Sequence, residues 1–356
     1  MAASTDGDQR DPASRPHVVS ADGDRLAPAA RPLVDALSAA FPDLGGAVTD
    51  AAEARRVLAA TPSPGKAVPP VGSVEDRDIP GPAGAPDLPV RIYRPEAARR
   101  LGAVSHARPT VLFFHGGGYA LCGLDTHDAT VSALCAESGA VVVSVAYRLA
   151  PENPFPAAPE DAYAALTWVA AEIRAGELGG DPGALVTAGD SSGGGLATVV
   201  ALMARDRGGP AVALQVLIYP VLDAGQAGES YTSNAKGYFL TAAHLRWFWE
   251  QYLGPDGDGT HPYASPVGAD VAALPPAHIV TAGCDPLCDE GAAYAVKLRL
   301  AGVPVTRRHY PAMFHGFLGF PRLLDDARTA MAEAAEAVAA TVYRRKNSGD
   351  VGGVTG

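Results

Sequence analysis

Residues 184–200 read ALVTAGDSSGGGLATVV, an apolar run that breaks into glycines around two serines and then resumes as a segment of small residues. Several local structures compete for such a stretch. A phosphate-binding loop needs a lysine after its last glycine, and a dinucleotide-binding turn needs GxGxxG; neither is present. The GDSGG of all-β serine proteases is a nearer textual match, but it belongs to a barrel in which histidine and aspartate precede the serine. Here a strand leads in and an Ala-rich helix leads out. The pattern that fits is GxSxG over residues 189–193, with Ser191 at the apex of a sharp strand-to-helix turn. Glycines flank that apex because a side chain there would collide with the neighbouring strand or helix as the turn tightens. The Ser191 hydroxyl is thereby lifted into the open, near a helix N-terminus whose free N–H groups favour developing negative charge.

Outward from this turn, strand-like runs alternate with helical patterns. The runs are VRIYRP from 90, TVLFFHGG from 110, AVVVSVAY from 140, ALVTAGD from 184, ALQVLIYP from 213, AHIVTAG from 277 and VTRRHYP from 305. Between them EDAYAALTWVAAEI, GGLATVVALMARD, EGAAYAVKLRLAG and LDDARTAMAEAAEAVAATVYR each carry an apolar stripe with small residues, as close packing on a sheet requires. Apolar strands separated by helices imply a mainly parallel sheet covered on both faces. Two segments fall outside the rhythm. Residues 30–68 carry Leu33, Val34, Leu37 and Phe41 at helical spacing, then Asp50 and Glu53 in capping-box positions. Residues 224–262 interrupt the alternation with a helix whose face is Leu245, Phe248, Trp249 and Tyr252. Such an aromatic stripe serves core packing or substrate lining, and a lid over a site combines the two.

Composition excludes several classes of function. With 356 residues the chain builds one large domain with an accessory piece, and its net charge of −11 repels nucleic acid and anionic membrane surfaces. No apolar stretch approaches the roughly 20 residues of a membrane span, and the opening MAASTDGDQRDPASRP lacks a signal-peptide core. The expectation is a soluble, cytoplasmic protein. Cys122, Cys135, Cys284 and Cys288 form no CxxC pair, so reduced thiols are expected in place of a disulfide framework or a metal site. The polar ends, about 1–28 and 346–356, lack the apolar surface to order themselves and are expected to be mobile.

Two further features give Ser191 a chemical context. FFHGGGYA ends a strand with Gly116, Gly117 and Gly118, and consecutive glycines let backbone N–H groups converge on one point, as an oxyanion hole requires. After the serine, an acid should end a later strand and a histidine should follow the last one. AHIVTAGCDPLCDEG supplies Asp285 and YPAMFHGFLGF supplies His315, in that order.

With these elements in place, the chain resembles the bacterial hormone-sensitive-lipase family (family IV) of α/β-hydrolases, the branch whose nucleophile motif reads GDSAG, over residues 30–340. The matching stretches are HGGGY from 115, LDTHD from 124, VAYRLAPENPFPAAPEDAYAAL from 145, GDSSGGGLA from 189, TAGCDPLCDEG from 281 and FHGF from 314. The resemblance implies an α/β-hydrolase fold: a mainly parallel eight-stranded sheet flanked by helices, with a helical cap. The catalytic domain would span 69–345, and the cap would be formed by 29–68 and the insertion at 224–262. It implies Ser191 as nucleophile, Asp285 as triad acid, His315 as base, and the N–H groups of Gly117, Gly118 and Ser192 as the oxyanion hole, with His115 shaping the glycine loop. Ser192 stands where the family usually has alanine, and Cys122 and Cys288 where serine and arginine are more familiar. These departures bear on substrate fit.

The activity expected is a serine carboxylesterase acting on small esters of short to medium acyl chains, including deacetylation of a specialised metabolite, with no cofactor and no metal. The same machinery serves amide or carbamate hydrolysis or acyl transfer, and the fold also supports a non-catalytic small-molecule receptor. The partner expected is a small-molecule ester, with a homodimer allowed for. The cap is expected to close over Ser191 with a pocket bounded by Val34, Phe41, Tyr238 and Trp249, which would limit the acyl chain.

Overall fold

The computed structural model describes residues 25–60, 68–96 and 108–349, with side chains to residue 342. The sheet has eight strands: β1 (Ser73–Ile79), β2 (Leu88–Arg94), β3 (Thr110–Phe114), β4 (Val141–Val145), β5 (Leu185–Asp190), β6 (Leu214–Ile218), β7 (Ala277–Cys284) and β8 (Val305–Phe314). Their order across the sheet is β1-β2-β4-β3-β5-β6-β7-β8. β1 runs antiparallel to β2 and β2 antiparallel to β4; every other pairing is parallel. β3, β4, β5 and β6 are buried along their whole length, as strands covered on both faces must be, which explains their unbroken apolar runs.

β1 has no counterpart among the runs picked out by apolar pattern. Of SVEDRDI only Ile79 is buried, so no alternation marks it. It forms because its backbone pairs with β2 from Ser73↔Arg94 to Ile79↔Leu88 at the sheet edge. Its charges suit an edge: Arg91 Nε meets Asp76 Oδ1 at 2.7 Å and Arg94 Nη1 meets Glu75 Oε2 at 2.9 Å.

The helices are α1 (Arg31–Ala40), α2 (Ala51–Ala60), α3 (Leu124–Ser138), α4 (Ala157–Ala175), α5 (Ser192–Asp206), α6 (Ser230–Ser233), α7 (Ala242–Leu253), α8 (Cys288–Leu300) and α9 (Asp325–Gly349). One core layer joins α4, α5 and α8 to one face of the sheet, through residues such as Leu166, Val200 and Leu298 against Leu112 and Val143. The other joins α3 and α9 to the opposite face, through Leu134 and Met331 against Val111 and Val142. α3 was not picked out by pattern, because its buried residues Val131–Cys135 run consecutively and give no stripe.

The N-terminal segment divides between the two layers. Leu26, Leu33 and Val34 pack with α3 and α9, and Ala27 N–H donates to Ala312 O at 2.9 Å, so ordered contacts begin ahead of the expected boundary at 28. Leu44, Ala51 and Ala54 pack instead with the layer that contains α7, where Trp247 Nε1 donates to Thr49 O at 3.1 Å. Asp50 Oδ1 accepts from Glu53 N–H at 2.8 Å, one half of the expected capping box. At the other end α9 continues to residue 349, past the expected tail boundary at 346; residues 1–24 and 350–356 lie outside the described part.

Candidate active site

The sheet brings four chain segments to one edge, the C-terminal ends of its parallel strands, where an open α/β sheet leaves a crevice. The glycine loop follows β3, Ser191 follows β5, Asp285 follows β7 and His315 follows β8. Ser191 has φ 55° and ψ −122°, a backbone conformation unfavourable for a residue with a side chain. It is held there from several sides. Ser191 N–H donates to Ile218 O at 2.9 Å, and Ser191 O accepts from Val221 N–H at 3.0 Å and from Gly195 N–H at 3.1 Å. The turn is so tight that a Cβ on Gly193 would run into the Phe114 carbonyl oxygen. Gly193→Ala is therefore expected to cost upwards of about 2 kcal/mol by overpacking. A urea midpoint equal to that of the native protein would contradict this.

The strain presents the Ser191 hydroxyl to His315, whose Nε2 lies 3.0 Å from Ser191 Oγ. On the other side of the ring, His315 Nδ1 lies 2.8 Å from Asp285 Oδ2. Asp285 is fully buried, and its second oxygen accepts from Leu287 N–H at 2.9 Å. Asp289, the other carboxylate of this stretch, sits in the first turn of α8 and accepts from Ser230 N–H at 2.8 Å.

Gly117 and Gly118 adopt φ of 113° and 60°, which glycine alone takes up readily. Among the described residues neither N–H donates to a protein acceptor. A Cβ on Gly118 would meet the Phe248 ring, so the loop passes directly beneath α7. Behind the loop, Gly116 N–H donates to Asp190 Oδ1 at 3.0 Å, and His127 Nε2 lies 3.2 Å from the same oxygen. Burial disfavours the Asp190 carboxylate, but the adjacent, hydrogen-bonded His127 outweighs it and holds its pKa below the usual range. His115 stacks on Tyr147 with ring centroids 4.3 Å apart, and its Nδ1 lies 2.7 Å from Gly116 O. Burial, aided by the neighbouring His127, pushes its pKa down to about 4, so it stands as a neutral brace for the loop. His127 lies within the LDTHD stretch but was assigned no role from sequence, because its partner is 63 residues away.

Beside Ser191 lies a cavity of about 20 Å³, room for one water-sized group. It is lined by Gly118, Tyr119, Ser191 and Val221 together with Leu240, Leu245, Phe248 and Trp249. Of the four residues expected to bound the pocket, it contains Trp249 alone. Val34 is buried in the core layer beneath α9, on the far face of the sheet. Phe41 packs edge-on to Phe239 and against His244, each with centroids 5.3 Å apart, and so supports α7 from outside. Tyr238 lies beneath the guanidinium groups of Arg25 and Arg31, 5.2 and 5.8 Å from its ring centroid. The helical face Leu245, Phe248, Trp249, Tyr252 splits: the first three line the cavity, while Tyr252 stacks on Tyr119 with centroids 3.8 Å apart. Tyr219, unmarked in the sequence reading, places its ring 4.7 Å from that of His315.

None of the four cysteines is in a disulfide, and among the described residues no cluster of histidine, cysteine or carboxylate side chains is arranged to hold a metal ion. Among the same residues no helix is long and apolar enough to cross a membrane.

Comparison with known proteins places this site in a family. Residues 111–319 match the α/β-hydrolase fold family. The chain is 43% identical to carboxylic ester hydrolase LipN of Mycobacterium tuberculosis over 282 residues, 78% of this chain and 71% of that protein. It is 39% identical to the ethyl acetate hydrolase of Pseudomonas putida over 253 residues, 70% of this chain and 78% of the other. Among solved structures, the hyperthermophilic esterase of Pyrobaculum calidifontis superposes with a TM-score of 0.79 at 39% identity, covering 88% of this chain and 98% of that one. The strand order, the tight turn at Ser191 between β5 and α5, and these likenesses together mean that the chain belongs to the hormone-sensitive-lipase-like carboxylic ester hydrolases of the α/β-hydrolase fold.

Proposed function

We propose that this protein hydrolyses small carboxylic esters with short acyl groups, through an acyl-enzyme formed on Ser191. The observation that carries the reading is the position of His315, hydrogen-bonded on one side to Asp285 and on the other to Ser191, which itself lines a cavity with room for one small group.

In this mechanism Ser191 Oγ attacks the ester carbonyl carbon while His315 Nε2 takes its proton, and Asp285 fixes the imidazole tautomer and stabilises the imidazolium. The carbonyl oxygen becomes an oxyanion and accepts hydrogen bonds from the N–H groups of Gly117, Gly118 and Ser192. Each such donor is typically worth about 2.7–4 kcal/mol in the transition state. Collapse of the tetrahedral intermediate breaks the bond to the alcohol oxygen, which leaves with the proton held by His315. A water, deprotonated by the same imidazole, then attacks the acyl-enzyme and releases the acid and Ser191. Nothing in these steps calls for a metal or cofactor.

The insertion at 224–262 acts as the cap, with α7 over the glycine loop and the 41–55 stretch buttressing α7 through Phe41, Leu44 and Thr49. α1 is an anchor on the far face and no part of the pocket. Phe248 and Leu245 close the cavity just beyond Ser191, so an acyl chain gains about 0.8 kcal/mol per buried methylene only until it meets them. Past that point overpacking costs about 1–3 kcal/mol. Among 4-nitrophenyl esters, kcat/KM is expected to peak at roughly two to four acyl carbons and to be low by ten. Phe248→Ala is expected to move the maximum upward by roughly two to four carbons, since the deleted ring leaves a cavity. An unchanged chain-length profile in that variant would remove Phe248 as the wall. The matching 4-nitroanilides test the amidase alternative, and turnover of anilides at rates equal to the esters would favour it. A protein that binds esters without releasing acid would be the receptor.

A further inference from the structure

The insertion that carries α7 over the cavity also grips the loop behind the triad carboxylate. Asn234, the residue after α6, is buried. Its Nδ2 donates to the carbonyl oxygens of Gly283 at 3.1 Å and Asp285 at 2.9 Å, and its Oδ1 accepts from Arg25 Nη2. At the start of α6, Ser230 Oγ donates to Pro286 O at 2.6 Å. One residue on, Tyr231 OH donates to Glu290 Oε2 at 2.9 Å. A single short turn thus holds the chain from the end of β7, at Gly283, to the first turn of α8, at Glu290.

The loop needs this support for a geometric reason. The β7–β8 ladder is regular as far as Ala282↔Tyr310, then becomes irregular before Cys284↔Phe314. Sheet pairing therefore lapses at Gly283 and ends at Cys284, so the carbonyls of Gly283 and Asp285 must find other donors. Asp285 itself is locked to its own loop, because one carboxylate oxygen accepts from Leu287 N–H and the other faces His315. The carboxylate consequently goes wherever the loop backbone goes.

We propose that Asn234 is a positioning residue for the triad: its amide, supplied by the insertion, replaces the lapsed sheet pairing and sets the approach of Asp285 to His315. This rests on the triad reading above. The insertion would then serve catalysis twice, roofing the cavity through α7 and aligning the acid through Asn234.

The test uses the full chain with 4-nitrophenyl acetate. Asn234→Asp is nearly isosteric and keeps an acceptor for Arg25, but it cannot donate to the two carbonyls; Asn234→Ala removes the whole amide. Both are expected to lower kcat by roughly 10- to 100-fold, the cost of a small misplacement in an active site, with KM within about twofold. In Asn234→Ala the acid limb of the kcat/KM profile should move to lower pH, because a misaligned carboxylate stabilises the imidazolium less. The low-field proton resonance of the His315–Asp285 hydrogen bond should weaken or move upfield in both. A folded Asn234→Asp protein with native kcat and an unchanged resonance would overturn the proposal, and so would a loss confined to KM or to melting temperature. If Asp285→Asn itself stayed fully active, the triad reading would be the one to fail.

Discussion

Ser191→Ala is expected to abolish ester hydrolysis while leaving the protein as stable as before. Removing a serine nucleophile costs on the order of 10⁶-fold in kcat, since what remains is transition-state binding by the oxyanion donors alone. The fold has little to lose. Ser191 borders the cavity, so deleting Oγ opens no void in the core, and alanine at φ 55° is strained no more than serine. The stability change should fall within about 0.5 kcal/mol. An ester-like phosphonate should label the native protein on the peptide that contains Ser191 and leave the variant unlabelled. Label elsewhere, or turnover in the variant near the native rate, would assign the nucleophile to another residue.

Asp285→Asn is the second large effect, expected at about 10⁴-fold in kcat, because an amide at Oδ2 favours the wrong imidazole tautomer without moving the ring. Asp289→Asn provides the control four residues away. Its carboxylate accepts from the backbone N–H of Ser230, and an asparagine oxygen can accept that bond equally well. The variant should keep most of its activity and lose about 0.3–1 kcal/mol of stability, the value of an acidic group in the first turn of α8. Kinetics of the two variants side by side decide the assignment, and the reverse pattern would transfer the acid role to Asp289.

Both predictions rest on residues that the sequence by itself makes legible, for reasons that differ from one residue to the next. Ser191 was readable because the tight turn demands glycine at 189 and 193, a local requirement written in five consecutive letters. Asp285 and His315 were readable because parallel strands end at the same sheet edge, so a residue just past each of two strands is delivered to one place by topology. The strands themselves were readable because burial on both faces demands unbroken apolar runs. β1 fails this criterion: of its seven residues only Ile79 is buried, and their pairing with β2 is a backbone matter that side-chain pattern does not record.

The pocket residues mark the limit of pattern reading. Val34 and Phe248 both sit on the apolar stripe of a helix in a segment outside the sheet rhythm, yet one is buried under α9 and the other covers Gly118. A stripe specifies that a face is covered and leaves open what covers it. His127 and Asn234 were silent for a related reason, since each acts on a partner tens of residues away: Asp190 for the first, Gly283 and Asp285 for the second. Sequence alone therefore determined the fold class, the tight turn at Ser191 and the order of the candidate triad, all of which follow from local backbone demands and strand topology. Which side chains wall the cavity, and which ones hold the glycine loop and the acid loop in place, was decided only by tertiary structure, because those contacts are set by how separate helices pack and by where sheet pairing lapses.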